Sequence, residues 1–314
     1  MNNISLTTLY KSKLFRDIDI ALARLLARLA PNDPPAVPLA ALLASRAAGE
    51  GHVCINLHQW AGHELKASNE SPPLGQCPDL EPWIDQLRSS AMVGAADDHC
   101  PLVCDRHGRV YLQRLYRHEQ QLAQRLRQRA ASAGQTLSPD QMKQVQSLLN
   151  RYFGNPPSDG SPDWQKIAAA ITLLKRLCII SGAPGTGKTT TVAKFLGVLI
   201  EWTQETTLRI HLCAPTGKAA ARLGASLSDA SLSMDCPPPV AAALAKLDTS
   251  TIHRLLRPQP GGRAFVFNAR NPLPTDVVVV DEASMVDLVL MDRLVQAVPK
   301  EARLVILGDK DQLA

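Results

Sequence analysis

A short apolar segment followed by a glycine-rich loop and a helical segment constrains the fold of this chain more than any other feature. Residues 177–181 are predicted to form a buried strand, residues 182–189 read Gly-Ala-Pro-Gly-Thr-Gly-Lys-Thr, and residues 190–202 have the pattern of a helix. This spacing is that of a phosphate-binding loop, whose glycines let backbone N–H groups close around a phosphate at the helix N-terminus. The flanking strand and helix disfavour the alternative of an ordinary glycine-rich turn.

The residue types of this loop predict how it binds ATP and Mg²⁺. Lys188 is expected to reach the β- and γ-phosphate oxygens, and the Thr189 hydroxyl to ligate Mg²⁺. The other candidate nucleotide-binding residues of the loop are Gly182, Pro184, Gly185, Thr186, Gly187 and Thr190.

Four short apolar runs predict a parallel sheet with helices between its strands. They cover residues 177–181, 209–214, 277–281 and 303–307, and are rich in Val and Ile, as is typical of strands buried on both faces. Each run ends in a loop of polar or special residues. Because ligands bind at the carboxyl ends of parallel strands, we expect the four loops to form one site.

Two adjacent carboxylates follow the third of these runs. Asp281 is predicted to hold Mg²⁺ and Glu282 to polarise the water that attacks the γ-phosphate. Gln312, in the loop after the fourth run, has an amide suited to donating to a γ-phosphate oxygen or orienting water; a plain surface role for Gln312 stays open. With Lys188, these three residues are the candidate catalytic groups.

Composition and linker signals predict two domains. Residues 1–135 are expected to form a smaller, mostly helical domain, residues 136–162 a linker, and residues 163–314 the α/β nucleotide-binding domain; the linker rests on the Pro/Gly/Ser-rich residues 154–162. A predicted helix over residues 115–131 has an arginine-rich face, either solvated or able to attract phosphate.

Cysteines, charge and hydropathy narrow the cellular setting. Seven scattered cysteines indicate reduced thiols, and a net charge of +5 is compatible with nucleic acid without requiring it. No apolar run reaches the length of a membrane span and the N-terminus lacks a signal peptide, so we expect a cytoplasmic protein without membrane contact. Zinc ligation or a simple hairpin both remain open for one local group: His99, Cys100, Cys104 and His107.

Six motifs in chain order resemble superfamily 1 helicases, and most closely the RecD type of bacterial RecBCD complexes. They are Gln165 and residues 182–189, 214–220, 251–253, 281–287 and 308–313. The resemblance implies a RecA-like motor lobe of a 5′-to-3′ ATP-dependent DNA helicase that acts in double-strand-break repair and recombination. It implies that Gln165 reads the adenine edge. It also implies contacts to single-stranded DNA from Pro215, Thr216, Lys218, Thr251 and His253.

The same resemblance implies a heterotrimer with RecB-like and RecC-like subunits, with the N-terminal region docked on the large partner. Such helicases close two lobes on ATP, and residues 1–314 contain only the first, incompletely, so we expect slow or absent turnover. Two alternatives remain: a non-catalytic module that binds nucleotide and a partner, and a different phosphate-loop ATPase such as a clamp loader or transport ATPase. The loops at 215–218 and 308–313 disfavour the second.

Overall fold

A computed structural model describes residues 6–66, 71–95, 98–132, 134, 136–154, 160–183, 185–203, 208–262, 264–309 and 312. The chain divides into two compact units, Met1–Gln121 and Leu122–Ala314. This division falls before the boundary that the sequence predicted, because residues 122–154 pack into the second unit.

The first unit combines four helices with short strands. The helices are α1 (Leu6–Lys11), α2 (Asp17–Leu29), α3 (Ala36–Gly49) and α4 (Leu80–Ser89); the strands are β1 (Cys54–Asn56), β2 (Glu64–Leu65), β3 (Gly75–Gln76), β4 (Val93–Gly94), β5 (Leu102–Cys104) and β6 (Arg109–Leu112). Strands β5 and β6 form the predicted antiparallel hairpin. The buried Trp83 indole donates a hydrogen bond to the Ala36 carbonyl at 3.1 Å, which joins α4 to the start of α3.

Helices and parallel strands alternate in the second unit. The helices are α5 (Gln113–Ala131, which begins in the first unit), α6 (Pro139–Phe153), α7 (Trp164–Leu174), α8 (Lys188–Thr203), α9 (Gly217–Ser233), α10 (Pro238–Ala245), α11 (Ile252–Leu256) and α12 (Leu288–Ala297). The strands are β7 (Leu177–Ser181), β8 (Ile210–Ala214), β9 (Thr249–Thr251), β10 (Val277–Val280) and β11 (Arg303–Gly308). All four predicted strands of the sheet are therefore confirmed.

The sheet of the second unit has the strand order β7-β11-β10-β8-β9, and every pairing is parallel. Strand β10 consists of four buried valines. Val277 and Val279 face the core with α8, whereas Val278 and Val280 face the core with α12. Burial on both faces explains why β-branched residues run through β10 without polar alternation.

The predicted linker is largely a helix. Helix α6 begins at a capping box in which the Ser138 hydroxyl and the Gln141 side chain exchange hydrogen bonds with each other's backbone N–H groups, and Pro139 occupies its first turn. Its apolar residues at helical spacing join the core that includes α8: Val145, Leu148, Leu149 and Tyr152. The prediction of a linker over residues 136–162 was wrong because the Pro/Gly-rich stretch after α6 masked this periodicity.

The arginines near the end of α5 are tied to protein groups. Arg125 pairs with the fully buried Asp292 at 3.0 Å. Arg129 is buried and donates to the carbonyls of Val298, Pro299 and Ala302. Burial lowers the pKa of the Arg129 guanidinium. A solvated face was therefore the wrong interpretation for these two arginines.

Across the described ranges, no helix has the length and apolarity needed to span a bilayer. Within the same ranges no three His, Cys, Asp or Glu side chains form a group that could hold a metal ion. All seven cysteines are unpaired, and burial raises the pKa of the Cys213 thiol to about 12.

Candidate functional site

The loop after β7 has a backbone conformation that favours glycine. The Gly182 N–H donates to the Gly308 carbonyl at 3.2 Å, which ties the loop to the end of β11. A Cβ at Gly182 would lie 2.8 Å from the Thr186 hydroxyl oxygen. Gly185 and Gly187 have φ of +83° and +80°, a left-handed conformation that glycine adopts without steric cost.

Helix α8 begins directly at Lys188, so its first backbone N–H groups border the loop. The Lys188 ammonium donates to the carbonyls of Gly182 and, at 3.0 Å, Ala183. Lys188 and Thr189 are partly buried, whereas Thr190 is exposed. Pro184, which the sequence placed among the nucleotide-binding residues, lies outside the described residues.

The two predicted carboxylates lie at the carboxyl end of β10. The Asp281 N–H donates to the Cys213 carbonyl at 2.8 Å, which extends the pairing of β10 with β8 by one hydrogen bond. Glu282 has a φ of +50°, and its N–H donates to Asp281 Oδ1 at 2.8 Å. A non-glycine residue in this conformation marks a tight turn, here one that places consecutive carboxylates at the sheet edge.

A cavity of about 420 Å³ brings the predicted loops together. Its predicted members are Gly185, Gly187, Lys188, Thr189, Thr190, Asp281, Glu282 and Gln312. Other lining residues were not among the predicted site residues, and the polar ones are Arg222, Ser226 and Asp309, of which Asp309 lies within the 308–313 motif. Arg222 and Ser226 follow the 214–220 motif at helical spacing, which is the only sequence signal that could have identified them.

Gln165 borders the loop from the other side. Its Nε2 donates to the Thr186 carbonyl at 3.1 Å, and a Cβ at Gly187 would lie 2.6 Å from the same nitrogen. With Gly182 and Thr186, it lines a second, more apolar cavity of about 550 Å³ that also includes Trp164 and Ile167. Gln165 therefore lies on the β7 side of the loop.

The oxygen ligands of the 420 Å³ cavity fit Mg²⁺. The Thr189 hydroxyl and the Asp281 carboxylate both line it, and neither has a described cation as an ion-pair partner. Hydroxyl and carboxylate oxygens are the hard ligands that Mg²⁺ prefers.

The residues predicted to contact DNA lie together, and none of them lines this cavity. Strands β8 and β9 pair with Ala214 opposite Thr251, so the segments 215–218 and 251–253 are neighbours. The Thr216 hydroxyl caps α9 by accepting from the Ala219 N–H at 3.2 Å, and the Thr251 hydroxyl caps α11 by accepting from the Arg254 N–H at 3.1 Å. A capping hydroxyl still has its own O–H to donate.

Thr216, Lys218 and His253 are exposed. The ring of His253 lies 5.9 Å from that of Phe265, in a tilted arrangement. Pro215 is partly buried in the turn between β8 and α9.

A parallel sheet between helices, with a phosphate loop and adjacent carboxylates at its carboxyl edge, defines a phosphate-loop NTPase. Two family models match: the AAA domain over residues 165–314 and the N-terminal domain of RecBCD enzyme subunit RecD over residues 11–111. The chain belongs to the RecD family.

Three curated relatives illustrate this similarity. RecBCD enzyme subunit RecD of Mycolicibacterium smegmatis is 36% identical over 96% of this chain and 51% of its own length. The subunit of the same name from Haemophilus influenzae is 42% identical over 54% of this chain and 27% of its own. The ATP-dependent RecD2 DNA helicase of Deinococcus radiodurans is 35% identical over 54% of this chain and 23% of its own. The chain spans about half the length of the relatives that it matches along most of its sequence.

Proposed function

We propose that this chain provides the ATP-binding lobe of a RecD-type, ATP-dependent DNA helicase. The supporting observation is the single cavity that joins Lys188 and Thr189 at the start of α8 to Asp281, Glu282 and Gln312 at the ends of β10 and β11. Phosphoryl transfer requires positioned charge more than covalent chemistry from the protein, and this cavity has the required groups on three separate elements.

Each of these groups has a proposed role in hydrolysis. Lys188 binds the β- and γ-phosphate oxygens, and Glu282 accepts a proton from the attacking water. The Gln312 amide orients that water or donates to the γ-phosphate. Thr189 and Asp281 hold Mg²⁺, which neutralises charge on the phosphate oxygens when bound.

The base and the DNA are proposed to bind on either side of the phosphates. Gln165 recognises the adenine edge, since an amide donates and accepts at once. Thr216, Lys218, Thr251 and His253, with the Pro215 turn, contact the phosphates and sugars of single-stranded DNA.

The names of the relatives and the order of the motifs support a proposal for the wider setting of this lobe. We place this lobe in a 5′-to-3′ motor that assembles with RecB-like and RecC-like subunits in the cytoplasm. The complex acts on DNA ends in double-strand-break repair and recombination. The first unit is the proposed docking surface for the large partner subunit.

Replacement of Lys188 tests the nucleotide site. Lys188→Ala removes a charged hydrogen-bond donor worth about 1.5–3 kcal/mol, so Mg·ATP affinity should fall about tenfold to a hundredfold in calorimetry. Its protein partners are two carbonyls of the loop itself, so the melting temperature should stay within about 2 °C, as for a surface substitution. Lys194→Ala, on the same helix, is the matched control. Unchanged ATP binding in Lys188→Ala would refute the nucleotide site.

Salt dependence tests the DNA contacts. For single strands, the logarithm of affinity falls against the logarithm of salt with a slope of about −0.7 per phosphate neutralised. Lys218→Ala should weaken binding of all sequences alike and reduce the slope by about 0.7, as measured by fluorescence anisotropy. The exposed Lys246, at the end of α10, provides the control substitution Lys246→Ala. Equal salt slopes for the two variants would exclude Lys218 as a phosphate contact.

A further inference from the structure

Helix α9 places a cation, Arg222, at the nucleotide cavity, and no sequence motif assigns a role to it. Four of its residues line the cavity at helical spacing: Ala219, Arg222, Leu223 and Ser226. Arg222 is exposed, and its guanidinium makes no hydrogen bond or ion pair with any other residue in the described part of the chain. Its donors are therefore available to a ligand in the cavity.

The strand order fixes where Arg222 lies relative to the other groups. Along the carboxyl edge of the sheet the order is β7, β11, β10, β8. Gln165 lies on the β7 side of the phosphate loop, whereas Arg222 is on the helix that follows β8. A nucleotide with its base near Gln165 and its β-phosphate in the loop therefore extends its terminal phosphate toward Asp281 and Arg222.

The charged side chains of the cavity suit an anionic ligand that carries a divalent cation, with the anion beside Arg222. Its lining includes the carboxylates of Asp281, Glu282 and Asp309 and two cations, Lys188 and Arg222. The two cations come from different helices on different sides of the carboxylates. A guanidinium offers paired donors that match two oxygens of one phosphate, which an ammonium cannot do.

We propose that Arg222 binds the terminal phosphate of the bound nucleoside triphosphate and so distinguishes triphosphate from diphosphate. This inference rests on the proposed nucleotide site and adds to it a second cation from within the same lobe. Lys188 contacts both nucleotides through the β-phosphate, whereas Arg222 contacts only the triphosphate.

The test compares the affinities of the 314-residue chain for Mg·AMP-PNP and Mg·ADP by titration calorimetry. Arg222→Ala should weaken Mg·AMP-PNP about tenfold and leave Mg·ADP within about twofold, as expected for loss of a charge-assisted hydrogen bond to one phosphate. Arg222→Lys should recover part of the loss because it keeps the charge without the fork. The exposed loop residue Arg270 gives the control Arg270→Ala, which should change neither affinity.

Two results would overturn the inference. An equal change for both nucleotides, or none, would exclude a contact to the terminal phosphate. So would a loss of single-stranded DNA binding in Arg222→Ala with an unchanged ratio of nucleotide affinities, since Arg222 would then be a DNA contact. If Lys188→Ala lowers both affinities while Arg222→Ala changes neither, the nucleotide site stands and only this inference fails. Failure of the unsubstituted chain to bind either nucleotide would overturn the proposed function itself.

Discussion

At the scale of single residues, arginines of similar sequence context have different roles in this chain. Arg125 pairs with a carboxylate that has no solvent exposure, and Arg129 binds the backbone carbonyls that follow α12. Arg127, between them, is exposed. The i to i+4 spacing of Arg125 and Arg129 places both on the face of α5 that contacts α12 and the residues after it, and Arg127 on the opposite face.

The Arg125–Asp292 pair makes a testable contribution to stability. Arg125→Ala leaves a buried carboxylate without this cation, so the free energy of unfolding should fall by about 3 kcal/mol in urea denaturation. Arg127→Ala, two residues away, should change it by less than about 0.5 kcal/mol. The double replacement Arg125→Met with Asp292→Leu should be less destabilising than Arg125→Ala alone, because no charge is left buried. Equal stability of the Arg125→Ala and Arg127→Ala variants would contradict this account.

At the scale of elements, a glycine lets α6 approach α8. A Cβ at Gly197, on α8, would lie 2.6 Å from Cε1 and 3.3 Å from Cζ of the Tyr152 ring. Tyr152 is buried on α6, and its hydroxyl donates to Glu201 Oε2 at 2.8 Å, one turn further along α8. A fixed ring cannot move aside as a flexible side chain does, so the close packing of the two helices depends on Gly197.

Gly197→Ala should therefore destabilise the second unit even though alanine is the better helix former. The propensity gain is about 1 kcal/mol, whereas overpacking a filled core costs about 1–3 kcal/mol. Thermal unfolding should show a lower melting temperature. Gly217→Ala is the matched control, since a Cβ there meets nothing within 4 Å. A melting temperature above that of the unsubstituted chain for Gly197→Ala would show that α6 shifts freely.

At the scale of the whole molecule, the second unit begins earlier than its motifs. The phosphate loop and the matched AAA domain lie after residue 160, but the compact unit starts at Leu122. Helix α6 covers part of the core that contains α8, and the end of α5 covers part of the core that contains α12. Residues without any nucleotide motif thus support α8, the helix that begins within the phosphate loop.

This arrangement predicts how fragments behave. Residues 163–314 alone should expose the apolar face of α8 that α6 covers, and should aggregate or melt without a cooperative transition. Residues 113–314 contain α5 and α6 and should be monomeric in gel filtration, with a cooperative transition and Mg·ATP binding. The 113–314 fragment is the control for loss of the first unit. A monomeric, cooperatively folded 163–314 fragment would refute the supporting role of α5 and α6.

Local sequence patterns predicted the features that depend on a residue's near neighbours in the chain. The four apolar runs, the glycines of the phosphate loop and the carboxylates after β10 depend on backbone conformation and on burial by immediate neighbours, so sequence predicted the sheet and most of the cavity. The fold class and the family follow from the same motifs.

Only the tertiary structure decided which distant side chains meet. Arg222 lines the cavity because its helix follows β8, and β8 lies beside β10. The order of strands in a sheet cannot be read from the apolar periodicity of one helix. Arg125 meets Asp292 across a sequence separation of 167 residues, and Tyr152 meets Gly197 because α6 packs on α8. Such contacts depend on the global packing of helices on the sheet, whereas sequence periodicity reports only which face of an element is apolar.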